Sequence, residues 1–457
     1  MEKALGHGRE LGATYMELRG ETGFAEYIQM EDERVNALVQ RMERGVAIRA
    51  LADGAWGFVS TVNLDSLDEA VEDAINMAKA AAQSRRTPIV LAEVKSHRET
   101  CSIKVERDPR YVPVEEKIKY MKDMTNVIRN YDDRISAITI KVRTASGQKY
   151  LVTSEGTRIQ QDFVLVWSYP WVTGKTGDRL SAARHEDASS SEGWEYLETV
   201  AAPEVIGEAV AKRVKLQLEG VSPKGGSFPC VIGPRVIGVL AHEALGHLAE
   251  ADLTVNSAFN GKLGEVVASR DVTMVDDGTM PGKLGTEMYD DEGVPTSRVE
   301  IIKNSVLTEL MTNREHAEKN RLRPTGNARA ESYLHPPIIR MRNTFFERGD
   351  YREDELFEGI SFGYYLVDFR GGQAQMNASF QVGIQEAYEI VEGEIGKPVT
   401  DLSISGIATD SLFKIEGVSR GDIQFEGGRC GKGQEAFCAS GGTNVRFMEG
   451  GITFGGS

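Results

Sequence analysis

A loop rich in glycine, proline and serine, residues 218–226, separates two stretches of the chain that differ in pattern. Before the loop, helical periodicity alternates with strand-like segments. After it, short β-like segments are separated by frequent glycines, and helical periodicity is rare. Because 457 residues exceed one ordinary hydrophobic core, two domains are expected. We therefore predict an α+β fold with an α/β N-terminal domain, residues 1–220, and a mostly β, irregular barrel-like C-terminal domain, residues 221–457, which carries one functional helix.

The first domain is expected to mix helices with antiparallel strands. Amphipathic periodicity predicts helices over residues 65–85, 114–130 and 194–219. Alternating apolar residues predict strands over residues 45–51, 57–61, 136–143, 149–153 and 159–169. Turn signals at Ser146-Gly147 and Glu155-Gly156 are expected to separate the last three of these strands.

Composition and charge argue against several kinds of partner. The formal net charge is −16 and the sequence shows no cluster of Lys and Arg, which argues against binding to nucleic acid or to an anionic membrane surface. Four scattered cysteines are too few for a disulfide framework in a chain of this length, as is typical of the reducing cytosol. No apolar run approaches the ~18 residues of a membrane span. We expect a soluble, cytoplasmic protein.

The segment His242-Glu243-Ala244-Leu245-Gly246-His247 places two imidazoles and a carboxylate close together. In the H-E-x-x-H helix of many zinc proteases the histidines are four residues apart on one face, and the glutamate is the general base. Here they are five apart, so at about 100° per residue they diverge by roughly 140° around an ideal α-helix. A π-type bulge would return both to one face. We predict such a bulge between His242 and His247, in a helix over about residues 235–250.

Two interpretations of this segment compete. In one, a histidine is an ordinary core residue, the other lies on the surface, and Glu243 is merely solvated. In the other, the histidines bind a metal, because a buried helix with two of the chain's seven histidines needs a partner for them. A catalytic zinc has three protein ligands and one open position. From the residues alone, the candidates for the third ligand are Glu250, Asp252, His316, His335, Cys430 and Cys438.

Two other polar or glycine-rich segments invite a functional interpretation. The stretch that contains Gly371, Gly372 and Gln373 is either a tight turn or a backbone rail that binds an extended peptide substrate. The acidic stretch Asp290-Asp291-Glu292-Gly293 lacks the alternating ligands of a calcium loop, so we expect a solvated turn there.

Short motifs in both domains occur together in an order that is typical of one protein family. The first domain contains residues 44–51, RGVAIRAL, and 53–58, DGAWGF. The second contains residues 242–252, then 275–279 (VDDGT), 290–293 (DDEG), 324–327 (PTGN) with 331–333 (ESY), and 430–432 (CGK). This succession closely resembles the TldD/PmbA family of zinc metallopeptidases, on the TldD side, and the resemblance covers nearly the whole chain.

The resemblance implies a two-domain fold peculiar to that family and a zinc ion bound by His242, His247 and Cys430. Glu243 would be the general base that activates a zinc-bound water for attack on a peptide carbonyl. Cys438 lies outside the matching motif. The family further implies a heterodimer with a sister subunit that lacks the metal motif. An unfolded peptide would bind there in extended form, with low sequence selectivity.

Three functions follow as hypotheses. The first is a zinc-dependent metallopeptidase that hydrolyses unfolded or shortened polypeptides. The second is an inert peptide-binding subunit of the same family, which should lack one of His242, Glu243, His247 and Cys430, whereas all four are present. The third is a zinc amidohydrolase acting on small molecules, which the sequence leaves open.

Overall fold

The computed structural model describes residues 1–185, 188–270 and 272–456. Its α-helices are α1 Glu2–Glu10, α2 Leu67–Ala82, α3 Val114–Tyr131, α4 Glu195–Glu198, α5 Pro203–Glu219, α6 Pro234–Val239, α7 Arg314–Asn320 and α8 Ala408–Ser411. Its strands are β1 Tyr15–Glu31, β2 Arg34–Ala52, β3 Ala55–Thr61, β4 Arg98–Cys101, β5 Ile135–Thr153, β6 Arg158–Thr176, β7 Arg179–Arg184, β8 Ser189–Ser190, β9 Gly226–Ser227, β10 Cys230–Ile232, β11 Met274–Asp277, β12 Arg298–Lys303, β13 Val306–Leu307, β14 Ala328–Arg329, β15 Ile338–Ile339, β16 Asn343–Phe346, β17 Phe362–Ala374, β18 Ser379–Val391, β19 Glu394–Pro398, β20 Leu402–Ile407, β21 Ile415–Val418, β22 Gln424–Gly431, β23 Glu435–Gly442, β24 Val445–Phe447 and β25 Thr453–Gly456.

Strands β1 to β8 form one sheet in the order β3-β2-β1-β5-β6-β4, with β7 and β8 also paired to β6. The alternation of Ile138, Ile140 and Val142 predicted its covered face correctly, since all three are buried. Helices α3 and α5 pack against that face, while α2 packs against β1 and β2. Gly57 lets β3 lie close to α2, because a Cβ there would lie 1.8 Å from the carbonyl oxygen of Ala74.

Two predicted boundaries in this half are wrong. Strand β5 runs straight through Ser146-Gly147, where we expected a turn. Gly147 instead permits a close backbone approach, because a Cβ there would lie 2.2 Å from the carbonyl oxygen of Thr22 on β1. The helix expected over residues 194–219 is two helices, since Pro203 begins α5 and cannot continue a preceding helix. The helices expected over residues 65–85 and 114–130 are confirmed as α2 and α3.

The second half of the chain contains two large sheets. One has the order β21-β24-β10-β17-β18-β20-β25-β9, with β19 paired to β18, and the other has the order β13-β12-β11-β16-β23-β22. Strands β14 and β15 form a separate pair. Within the described ranges both orders are open, so the α+β class is confirmed but the barrel-like arrangement is not closed. Helix α6 lies between the two sheets, in contact with β17 of one and with β22 and β23 of the other.

The boundary between the halves falls where the secondary structure changes. Helix α5 ends at Glu219, and the sheets of the second half begin at Gly226. A domain boundary near Gly220 remains a prediction. Nowhere in the described chain is a helix both long and apolar enough to span a bilayer.

Two ion pairs join the two halves, and the first of them is buried on both sides. Nη1 of Arg49 on β2 lies 2.8 Å from Oε1 of Glu292, and Arg314 donates two hydrogen bonds, of 2.8 and 2.9 Å, to the carboxylate of Glu155. Glu292 belongs to the acidic stretch Asp290–Gly293, whose three acidic side chains are all buried. The solvated turn that we expected there is therefore wrong. The carboxylates tolerate burial because they accept backbone N–H groups or pair with an arginine.

Candidate metal centre

The helix that bears both histidines changes its winding along its length. It begins as α6 at Pro234, continues as a π-helical segment over Leu240–Leu245 and ends as a 3₁₀ turn over Gly246–Ala249. The predicted π-type bulge between the histidines is confirmed. Gly246 permits Met341 to pack closely against the end of the bulge, because a Cβ there would lie 2.2 Å from the sulfur of Met341.

Three donor side chains converge beside this bulge. The ligand atoms of His242, His247 and Cys430, here called the donor trio, all lie within 4.8 Å of one another. The sulfur of Cys430 is 3.3 Å from Nε2 of His247, and the two imidazole centres are 5.3 Å apart. His242 and Cys430 are buried, whereas His247 is partly exposed. The structure thus brings together the three residues that the resemblance implied as ligands.

Cys430 reaches the helix from a β-hairpin formed by β22 and β23. The buried Arg340 holds this hairpin with two hydrogen bonds of 2.6 Å, in which Nη2 donates to the carbonyl of Cys430 and Nη1 to the carbonyl of Gln434. Arg329 donates to the carbonyl of Phe437, farther along β23. Guanidinium donors therefore fix the backbone on both sides of the hairpin turn.

The thiol and the imidazoles alter one another's protonation. Burial raises the pKa of the Cys430 thiol, but His242 and His247 outweigh burial and lower that pKa to about 4. Burial lowers the pKa of His247, whereas Cys430 and Glu250 raise it to about 9. The pKa of His242 is likewise raised well above its usual value, because Cys438 and Cys430 outweigh burial. The centre therefore stabilises a thiolate next to positive charge, and a thiolate is the form of cysteine that binds metals.

Glu243 lies beside the donor trio and remains open to solvent. Its side chain is 35% exposed, and its Oε2 is 4.0 Å from Nε2 of His247, the nitrogen that also faces Cys430. Across the described residues, the group of donors within 4.8 Å does not include Glu243. This position suits a carboxylate that exchanges protons beside a metal and is not itself a ligand.

The two acidic candidates for the third ligand lie behind the trio. Glu250 is fully buried, and Nδ1 of His247 lies 2.9 Å from its Oε2, on the side of the ring away from Cys430. Asp252 pairs with Lys432 at 2.7 Å. Neither carboxylate belongs to the donor group that the described residues form.

The remaining candidates are also outside the trio. Cys438 comes nearest, with its sulfur 3.9 Å from Nδ1 of His242. His316 contacts Asn313, and His335 contacts Ser332. The residues alone left the choice between Cys430 and Cys438 open, and the structure places both sulfurs near the histidines, with Cys430 as the one inside the group.

Gly371, Gly372 and Gln373 lie in the extended strand β17 and pair with β18. The tight-turn interpretation is therefore wrong. On its other side β17 pairs with β10 only through Tyr364–Leu366, so in the described part of the chain no strand covers the rest of that edge. The same strand contacts the π-helical segment.

A cleft of about 750 Å³ separates the first sheet from part of the second half, with Tyr27, Phe163, Tyr333 and Phe437 among the residues that line it. Phe437 and Cys438 are neighbours on β23, so their side chains point to opposite faces of the hairpin. The donor trio does not line the cleft. The β22–β23 hairpin therefore stands between the cleft and the trio.

Three buried arginines, two of which hold the hairpin, were not predicted. Arg329, Arg340 and Arg342 are 8%, 1% and 0% exposed. The apolar neighbours Ile339 and Met341 are the one sign in the sequence that this stretch is buried. Because such neighbours also flank exposed arginines on amphipathic strands, the pattern does not distinguish a buried arginine from an exposed one. Burial of these side chains depends on backbone carbonyls that come from distant parts of the chain.

Family models of the PmbA/TldA metallopeptidases match most of the chain. The model of domain 1 matches residues 16–78, that of the central domain residues 107–218, and that of the C-terminal domain residues 225–445. The last of these ranges contains the whole donor trio and Glu243.

Curated relatives and solved structures agree with these matches. A "Metalloprotease" of Methanothermobacter thermautotrophicus is 34% identical over 436 residues, which cover 94% of each chain. A "Zinc metalloprotease TldD homolog" of Saccharolobus solfataricus is 32% identical over 452 residues, which cover 98% of each chain. Among solved structures, TldE from Thermococcus kodakarensis superposes with a TM-score of 0.79 at 19% identity over 100% of both chains. A putative modulator of a DNA gyrase from Thermotoga maritima gives the same TM-score and identity over 99% of both.

Proposed function

Because the chain belongs to the TldD/PmbA metallopeptidase family, we propose that it is a zinc-dependent peptidase whose metal is bound by His242, His247 and Cys430. The observation that supports this best is the convergence of these donors within 4.8 Å, beside Glu243. Two imidazoles and a thiolate suit zinc, and three protein ligands leave a fourth position free for the reaction. Cysteine binds zinc as a thiolate and histidine as a neutral imidazole, so zinc binding is expected to release protons from these side chains.

Glu243 is proposed as the general base. When bound, zinc supplies a Lewis acid that activates water and polarises a carbonyl. Glu243 accepts the proton of the attacking water and then donates it to the leaving amine. Its exposed fraction of 35% gives water and substrate access to the carboxylate, and its position 4.0 Å from His247 keeps it next to the ligands.

The proposed substrate is an unfolded or shortened polypeptide that binds in extended form. The edge of β17 at Gly371, Gly372 and Gln373 offers unpaired backbone groups to such a peptide. Elsewhere along its length β17 contacts the segment that bears His242 and Glu243. Main-chain pairing of this kind is largely independent of sequence, and glycine leaves room for varied side chains. Low selectivity among peptides follows from both properties.

A sister subunit without the metal motif is proposed as the partner, in the cytoplasm and without nucleic acid or membrane. Residues 34–44 of β2 extend beyond the pairing with β3, which begins at Val46, so this edge is open. Long exposed apolar edges are normally covered by another element. The large apolar side chains exposed there are Val35, Leu38, Val39 and Met42. All four cysteines of the chain are free thiols, as expected for a reducing compartment.

The proposal is tested by zinc content and peptide cleavage of the wild type, Glu243→Ala and Cys430→Ala. Glu243→Ala should keep zinc and lose turnover by about 10²–10⁴-fold, the contribution typical of a general base. Cys430→Ala should lose much of both, because it removes a ligand. Zinc content is measured on the isolated chain, so this part of the test does not depend on a second subunit.

Cleavage is followed by mass spectrometry of a mixture of denatured proteins and short peptides, beside a panel of small amides. New peptide termini that appear with the wild type alone support a peptidase. Hydrolysis of small amides without peptide cleavage would instead establish the amidohydrolase. Wild-type peptide turnover by Glu243→Ala would refute the proposed mechanism.

A further inference from the structure

Glu250 occupies an unusual position for an acidic residue. It directly follows the 3₁₀ turn, is 0% exposed, and lies 2.9 Å from Nδ1 of His247 through its Oε2. The opposite ring nitrogen, Nε2, faces the sulfur of Cys430 at 3.3 Å. The imidazole of His247 therefore lies between the buried carboxylate of Glu250 and the sulfur of Cys430.

A lysine of the β22–β23 hairpin, which carries Cys430, contacts the same carboxylate oxygen. Nζ of Lys432 lies 3.1 Å from Oε2 of Glu250 and 2.7 Å from Asp252, and it donates to the carbonyl of Ile339 at 3.0 Å. Lys432 stands two residues after Cys430, in the turn between β22 and β23. One oxygen of Glu250 thus contacts both the helix with the histidines and the hairpin with the cysteine.

Burial makes this arrangement informative. A carboxylate that is shielded from water needs nearby positive charge or hydrogen-bond donors. Glu250 has two such partners, His247 on the helix and Lys432 on the hairpin. A carboxylate on the outer nitrogen of a metal-binding histidine fixes which nitrogen carries the proton and how the ring is oriented. Glu250 is positioned for that role, since it contacts the nitrogen that points away from Cys430.

We infer that Glu250 and Lys432 form a positioning pair that locks His247 and the Cys430 hairpin in the geometry that binds the metal. This inference rests on the proposed function, and it assigns roles to two residues outside the donor trio. Glu250 orients His247 directly, and Lys432 ties the hairpin turn to the same carboxylate. Replacing Glu250 removes the partner that orients His247, and replacing Lys432 frees the hairpin turn. Replacing both residues removes one interaction that they share.

The test uses the full-length chain as wild type, Glu250→Gln, Lys432→Met and the double variant. Zinc affinity is measured by competition with a chromogenic chelator, and the visible spectrum of the cobalt(II) form reports ligand geometry independently of activity. Each single variant should bind zinc about 10–100-fold more weakly and shift the cobalt spectrum. The double variant should lose less than the product of the two single losses, because the two residues act through one contact.

Asp252→Asn is the matched control, since Asp252 contacts Lys432 but has no contact with His247. It should retain zinc affinity within about threefold of wild type and leave the cobalt spectrum unchanged, because it spares the partner of His247. Wild-type affinity and an unchanged spectrum in Glu250→Gln would overturn the inference while leaving the proposed peptidase intact. A wild type that binds no zinc would refute the proposed function itself, and the positioning role with it.

Discussion

Replacing Arg340 by methionine tests how the Cys430 hairpin is held in place. Arg340 is 1% exposed, and its two hydrogen bonds of 2.6 Å reach the carbonyls of Cys430 and Gln434. Methionine has a similar length but donates no hydrogen bond. The carbonyl of Gln434 also accepts the backbone N–H of Lys432 at 3.0 Å and keeps that donor in the variant. The main cost is therefore the lost hydrogen bond to the Cys430 carbonyl, about 1–3 kcal/mol.

Part of this loss is offset, because the variant also removes a buried charge. Nε of Arg340 has no hydrogen-bond partner in the described chain, and no acidic residue there forms a salt bridge with this guanidinium, so its desolvation is incompletely compensated. We therefore expect Arg340→Met to lower the free energy of unfolding by about 1–2 kcal/mol. Zinc affinity should fall as well, because the carbonyl that Arg340 binds belongs to Cys430 itself.

The free energy of unfolding is measured by urea denaturation of the metal-free protein in EDTA, and zinc affinity by chelator competition. Arg429→Met is the matched control, because Arg429 lies on the same hairpin in an exposed ion pair with Glu435. Such pairs contribute about 0–1 kcal/mol. If Arg340→Met unfolds within about 0.5 kcal/mol of wild type, the range of ordinary surface substitutions, Arg340 does not hold the hairpin in the way proposed.

Two further predictions concern the packing of α6 and a buried charge at the junction of the two halves. Gly238→Ala should lower the free energy of unfolding by about 1–3 kcal/mol in urea titrations, because its Cβ would lie 2.7 Å from the backbone nitrogen of Gly441; an unchanged midpoint would contradict this. For Glu287, burial opposes ionisation, but Lys149 and Arg342 outweigh it and lower the pKa from 4.5 to about 2. The stability from this shift, up to about 3 kcal/mol, is present above pH 4.5 and disappears as the pH falls towards 2. The free energy of unfolding of Glu287→Gln, measured in EDTA, should therefore fall less steeply than that of wild type between pH 4.5 and 2. Parallel pH dependences of the two proteins would contradict a lowered pKa for Glu287.

Local periodicity predicted the features that depend on neighbours along the chain. The five-residue spacing of His242 and His247 required a widened turn if both were to share a face, and the π-helical segment Leu240–Leu245 provides it. The apolar alternation in β5 likewise identified the buried face of the first sheet, because side-chain direction in a strand has a period of two.

Features that depend on distant partners were not accessible to the same reasoning. Gly147 resembles a turn residue, yet it permits a close approach of β1, which only strand pairing reveals. The acidic stretch Asp290–Gly293 resembles a solvated turn, yet it is buried against Arg49 from the first half. Only the family resemblance identified Cys430 as a ligand, because its position depends on a hairpin nearly two hundred residues from the histidines. The sulfur of Cys438 also lies near His242, so closeness to the histidines does not by itself decide which cysteine binds the metal.

That choice is decided most directly by X-ray absorption at the zinc edge of the loaded, full-length protein. We expect one sulfur at about 2.3 Å, with nitrogen or oxygen ligands at about 2.0–2.1 Å. The sulfur should disappear in Cys430→Ser and persist in Cys438→Ser. A sulfur ligand that survives in Cys430→Ser, or that is lost in Cys438→Ser, would be incompatible with Cys430 as the third protein ligand of the metal.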